Sequence, residues 1–238
     1  MMKKTIHYLC LTSALLTSAE AAQAILNHTS ADDVFIRESA PDSLQAERNI
    51  FGGQGAGAQF VTLMRFSLSE LTTATSGSPV IIDAVSLDLG PSMSYSGISS
   101  SFTADLHTYT NFNASNATWN DPDGSGFADT QAGGSVATLL SQENFNNAMV
   151  EGSFNFSSSS AFVHYLQTAY DNGDSHIYLR LSNQSDTSTN GFLRTDHGSV
   201  TDTGNASLQV SYTAVPEPHT SALLGLAGLS LILRRKTR

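Results

Sequence analysis

Cysteine occurs once in these 238 residues, as Cys10, and tryptophan once, as Trp119. A lone thiol excludes an intrachain disulfide, so the fold must hold through its core alone. Cations are just as scarce. From residue 25 to residue 214 there is no lysine, and the only arginines are Arg37, Arg48, Arg65, Arg180 and Arg194. The same stretch keeps every acid except Glu20 and Glu217, so five cations face nineteen acids and the formal charge is −14. Such a surface repels phosphate backbones, which argues against nucleic acid as a partner. Catalytic signatures are missing as well. There is no Gly-x-Ser-x-Gly elbow, no His-Glu-x-x-His and no phosphate-cradling glycine loop. His28, His107, His164, His176 and His197 stand at no metal-ligand spacing. Paired carboxylates meet in space rather than in sequence, so the acids alone identify no glycosidase. The chain reads as non-enzymatic.

What is present is concentrated at the two ends. Lys3 and Lys4 precede an apolar run from Ile6 to Leu16, and small residues follow as Ala19-Glu20-Ala21 and Ala22-Gln23-Ala24. This is the layout of an export signal over residues 1–24, removed by signal peptidase. Cys10 lies inside its apolar run. At the other end Val215-Pro216-Glu217-Pro218 leads into His219 to Leu233, fifteen residues without Asp, Glu, Lys or Arg. Arg234, Arg235, Lys236 and Arg238 close the chain. The run is shorter than the ~20 residues of a comfortable crossing. Residues 214–218 at the headgroup level, or a thinned bilayer, make up the difference. The basic cluster would hold the C-terminus in the cytoplasm. The alternative is a buried amphipathic helix with a basic cap. It fits less well, because every face of the run is apolar.

The tail, with its Pro216-Glu217-Pro218 tripeptide, apolar span and Arg234-Arg235, resembles the PEP-CTERM sorting signal of Gram-negative bacteria. That resemblance implies an exosortase as partner, a membrane enzyme that cuts near the tripeptide. It further implies passage through the inner membrane and a final place at the cell surface or in a biofilm matrix. The predicted organisation is a signal peptide at 1–24, a body at 25–213, and a sorting signal at 214–238 with a transmembrane helix at 219–233.

The body alternates with period two. Val34 and Ile36, Val85, Leu87 and Leu89, Phe102, Ala104 and Leu106, Phe154 and Phe156, Ile177, Leu179 and Leu181, and Leu208, Val210 and Tyr212 each mark one face of a strand. Residues 60–66 are apolar on both faces. Clusters such as Gly52-Gly53-Gln54-Gly55, Ser76-Gly77-Ser78-Pro79 and Asp171-Asn172-Gly173-Asp174 read as turns. Many short strands punctuated in this way predict an all-β antiparallel sandwich, of jelly-roll type. One helix interrupts them, with caps at Ser157 to Ser160, an apolar face of Phe162, Leu166, Ala169 and Tyr170, and a stop at Gly173.

Six landmarks in order carry a second resemblance: residues 31–37, 63–68, 82–89, 117–120, the helix before 177–181, and 208–212. Together they resemble DNRLRE-type domains, jelly-roll modules similar to carbohydrate-binding modules. The eponymous string is absent, and residues 192–197 match it poorly. The resemblance implies that the body binds polysaccharide. A purely structural surface protein is the alternative, and a polysaccharide-degrading enzyme a more distant one.

Candidate ligand contacts follow from side-chain chemistry. An exposed Trp119 would stack on a sugar ring, with Tyr95, Tyr109 and Tyr178 as lesser platforms; a core or edge anchor is the plainer role for that tryptophan. Asp121, Asp123, Ser125 and Asp129 take the first, third, fifth and ninth places of an EF-hand-like loop, with Gly126 at the sixth. Ala132 stands where the bidentate Glu belongs, so a solvated Asp/Gly turn is expected and no cofactor, with weak Ca²⁺ binding as the sharper alternative. Arg65 and Arg180 fall in apolar strands, where Asp83 or Asp88 would pair with them.

Overall fold

The computed structural model describes residues 21–28, 33–44, 49–55, 58–89, 93–96, 102–128, 133–134, 137–145, 155–183, 191–196 and 206–215. They belong to one unit, Ala21–Val215. The unit reaches four residues ahead of the expected boundary at residue 25.

Two antiparallel sheets carry the fold. The first has the order β1-β12-β5-β9, built from Ala21–Asn27, Ser207–Ala214, Val80–Asp88 and Asn155–Phe156. The second has the order β6-β11-β3-β4-β10-β7-β8, from Met93–Ser96, Gly191–Asp196, Asn49–Gly55, Ala58–Ser67, His176–Ser182, Phe102–Thr108 and Leu139–Phe145. Strand β2, Asp33–Arg37, also pairs with β4.

The alternating positions face one shared core. Leu26, Val85, Leu87, Leu208 and Val210 come from the first sheet, and Met64, Phe66, Leu106, Leu179 and Leu181 from the second. Each is at most 1% exposed. Burying a side chain of this size contributes about 1.5–3 kcal/mol, and this core is the main stabiliser of a chain without disulfides.

The expected helix forms as α2, Ser160–Asn172. The Ser159 hydroxyl accepts the Phe162 N–H at 3.0 Å, filling one of the donors a helix start leaves free. That hydroxyl also donates to the Leu140 carbonyl in β8, which ties the helix start to the second sheet. Gly173, at φ 73°, ends the helix in the left-handed conformation that glycine adopts without strain. Across the other sheet, Gln167 acts as a substitute strand. Its Nε2 donates to the Val80 carbonyl at 3.0 Å and its Oε1 accepts the Ile82 N–H at 2.8 Å. The Ser158 hydroxyl accepts the Val85 N–H at 3.1 Å, so side chains satisfy the edge of β5 beyond β9.

Four features depart from the expectations of the sequence. A second helix, α1, spans Ser69–Thr75 and buries Leu71 and Thr75. The Thr75 hydroxyl meets the Tyr170 hydroxyl at 2.6 Å, linking the two helices. The glycine cluster at 52–55 lies within β3 rather than in a turn. Strand β1 occupies residues assigned to the export signal. Arg180 does not pair with Asp83 or Asp88, because both acids stand on β5 of the other sheet. Among the described residues no helix is long and apolar enough to cross a membrane. The expected span at 219–233 and the export signal up to residue 20 lie outside them.

Candidate functional site

The outer face of the second sheet carries its own layer. In β10, Ile177, Leu179 and Leu181 point to the shared core, so Tyr178, Arg180 and Ser182 point away from it. Residues 109–119, at the start of the connection toward β8, cover this face. Tyr109, Phe112, Ala117 and Trp119 pack there on Val34, Ile36, Val61 and Leu63. Trp119 and Tyr109 are each only 8% exposed.

Glycines hold both rings in place. A Cβ on Gly133, at φ 75°, would stand 2.7 Å from the Trp119 ring, and one on Gly134 would stand 2.8 Å from the Tyr109 ring. The Gly133 N–H donates to the Trp119 carbonyl at 2.7 Å, and its own carbonyl accepts Arg180 Nε at 3.2 Å. Both rings are packed into this layer, the core or edge anchor that was the plainer expectation for Trp119. Tyr95 lies in β6 opposite Leu193. Tyr178 is half-buried, edge-on to Phe112.

Beside the rings lies a buried polar group of which sequence reasoning singled out only Arg180. Arg180 is 2% exposed and donates from one terminal nitrogen to the Ser182 hydroxyl at 2.8 Å. His107 stands opposite it across the β7–β10 ladder, and Asp105 opposite Ser182. Asp105 accepts Gln142 Nε2 at 2.7 Å. Burial lowers the Arg180 pKa to about 10, while Tyr109 and Asp105 work against that shift. Burial also pushes the His107 imidazole below its ordinary value; the Arg180 charge adds to this, and Asp105 opposes it. The only sequence signal was the presence of Asp105, His107 and Arg180 on alternating strands, which is ambiguous before the covering loop is known.

The Asp121–Gly126 turn uses its carboxylates on its own backbone. Asp121 Oδ1 accepts the Ser125 N–H at 3.1 Å, and Oδ2 accepts the Gly126 N–H at 2.8 Å. Asp123 Oδ1 accepts the Ser125 N–H at 2.9 Å. Burial acts to raise the Asp123 pKa, but the bonds from Ser125 outweigh it and hold this carboxyl below its ordinary value. Among the described residues no group of three acids, histidines or cysteines could hold a metal ion. Asp129 lies outside the described residues.

The remaining feature is the carboxyl end of the unit. Strand β12 is paired on both sides, with Thr213 opposite Ala21 in β1 and Ile81 in β5, and Ala214 opposite Val80. The Val215 N–H then donates to the Pro79 carbonyl at 3.1 Å. The next residues are Pro216-Glu217-Pro218. Residues 214–236 match the PEP-CTERM protein-sorting motif. The match supports an exosortase substrate, exported and processed at a membrane, with the cell surface as its final site. Pro216, Glu217, Pro218, Arg234 and Arg235 fall within it and lie outside the described residues, so only Val215 of the expected sorting residues has a place in the fold. No curated protein matches this chain.

At the amino end, the two small-residue cleavage candidates now differ. Ala22-Gln23-Ala24 lies inside β1, whose residues pair with β12 from Ala21 to Asn27. Cutting after Ala24 would remove four of those seven pairs. Cutting after Ala21 would remove one.

Proposed function

We propose that the chain is a non-catalytic surface protein. The N-terminal signal exports it, exosortase processes it at the sorting tail, and its two-sheet body serves as a structural module of the extracellular matrix. The observation behind the structural role is the burial of Trp119 and Tyr109 beneath Gly133 and Gly134, which leaves neither ring as a sugar platform. The jelly-roll, DNRLRE-like affiliation is part of this reading. Strands β2, β4, β5, β10 and β12 follow the order of its landmarks, which supports it.

Polysaccharide binding is the second reading, and a different surface favours it. On the outer face of the first sheet, Gln23 and Ile25 of β1, Gln209 and Ser211 of β12, and Ala84 and Ser86 of β5 line a shallow groove. They are in register, with Gln209 between Ile25 and Ser86, and Ser211 between Gln23 and Ala84. Amides and hydroxyls on a flat strand surface offer the hydrogen bonds that sugar hydroxyls need.

Affinity electrophoresis of the folded body on neutral and acidic polysaccharides separates the two. Unretarded migration in every gel agrees with the structural role. Retardation that Gln209→Ala abolishes would establish the groove as a glycan site and overturn it. Release of reducing sugar would overturn the non-catalytic part.

A further inference from the structure

We infer that the folded body withholds the amino-terminal side of the sorting tripeptide from exosortase, so that the tail is cut before β12 joins its sheet. The inference rests on the sorting reading above and adds an order of events to it.

Three observations carry it. First, the motif match begins at Ala214, so its first two residues, Ala214 and Val215, are already hydrogen-bonded into the sheet. Second, Pro216 follows at once. Proline has no N–H to continue the ladder and confines the preceding residue to extended conformations, so no slack separates the sheet from the tripeptide. Third, β12 lies between β1 and β5; it is paired on both edges up to Thr213, and Ala214 and Val215 keep their bonds on the β5 side. Recognition by strand addition, in which an extended substrate joins the enzyme's own sheet, uses those same edges.

Offering residues 211–213 to such a grip therefore means lifting out the strand between β1 and β5, and offering 214–215 on the edge they use means parting them from Val80 and Pro79. That strand holds Leu208, Val210 and Tyr212 in the core, at 0%, 1% and 7% exposure. Openings of central, core-bearing strands approach the cost of global unfolding, unlike the fraying of a terminal segment. The tail of a folded chain is thus a poor substrate even though the tripeptide itself follows the last bonded residue.

The test is a pulse–chase in cells that contain exosortase. It compares the natural chain with a variant carrying a flexible Gly/Ser insert of about fifteen residues between Val215 and Pro216. Resistance of the body to added protease times its folding. The natural chain is expected to be cut only while the body is still protease-sensitive. The insert is expected to be cut after folding too, at least about tenfold faster than the folded natural chain. Equal cutting of the two chains after folding would overturn the order of events and leave the sorting reading standing. Failure of the enzyme to cut either chain would overturn the sorting reading and this inference with it.

Discussion

The two faces of the larger sheet solve the same burial problem by different chemistry. Its inner face meets the smaller sheet through aliphatic and phenyl side chains such as Met64, Phe66, Leu106 and Leu179. Its outer face meets a connecting loop through Tyr109, Phe112 and Trp119, with Asp105, His107, Arg180 and Ser182 buried alongside. Apolar contact on the inner face needs no particular partner, and volume and period suffice. The outer face depends on individual bonds, because each buried polar group costs free energy unless it is satisfied. The inner face should therefore set global stability and the outer face should respond to single atoms and to pH.

The largest effect should come from the inner face. Phe66→Ala is expected to cost about 3–5 kcal/mol in urea unfolding, since a fully buried ring leaves a cavity. A loss well under 1 kcal/mol would show that the shared core is not the main stabiliser. Gly133→Ala tests the outer face, with an expected cost of ~1–3 kcal/mol from a left-handed backbone and a forced contact with Trp119. Trp119 is the sole tryptophan, so its fluorescence reports this layer alone. Emission should shift to the red in Gly133→Ala and stay put in variants of the smaller sheet.

Gln167→Ala comes next. It leaves the Val80 carbonyl and the Ile82 N–H without their side-chain partner and should cost about 1–2 kcal/mol. The pH effect is smaller. Folding lowers the His107 pKa, so the unfolded chain takes up the proton first as pH falls. The stability this group contributes is whole above its unfolded value near 6.5 and is lost as pH drops through its lower folded value. Urea midpoints at pH 7.5 and 5.5 should differ in the natural chain, and the difference should shrink in His107→Gln. The smallest effect is none: a chelator should leave the thermal midpoint unchanged, because the Asp121 and Asp123 carboxylates are engaged with backbone N–H groups. A rise on adding Ca²⁺ would revive the metal reading.

How much of this was readable beforehand follows the same division. Val85 and Leu87, Ile177 to Leu181, and Leu208 to Tyr212 each alternate cleanly and each became a strand of the shared core. The capping serine and terminal glycine of α2 marked a helix that forms within a few residues of its expected bounds. The outer layer was legible only in part: a core or edge anchor was the plainer role for a lone tryptophan before a turn, but nothing local names the glycine that covers it. Arg180 was expected to seek a carboxylate on β5, but its partners are a loop carbonyl and a hydroxyl on its own strand. Strand β3 was hidden because glycines signal turns more often than ladders. Strand β1 was hidden because small residues ahead of a domain also spell a cleavage site. The sorting tail was the most legible feature of all, since its three parts depend on composition and order rather than on packing.

The most direct test of the account is the intact mass of the protein recovered from the cell surface of cells that contain exosortase. The account predicts a chain that begins at Ala22 and ends near Pro216-Glu217-Pro218, with residues 219–238 gone. Recovery at the surface of a chain that still carries Arg234 and Arg235 would contradict it.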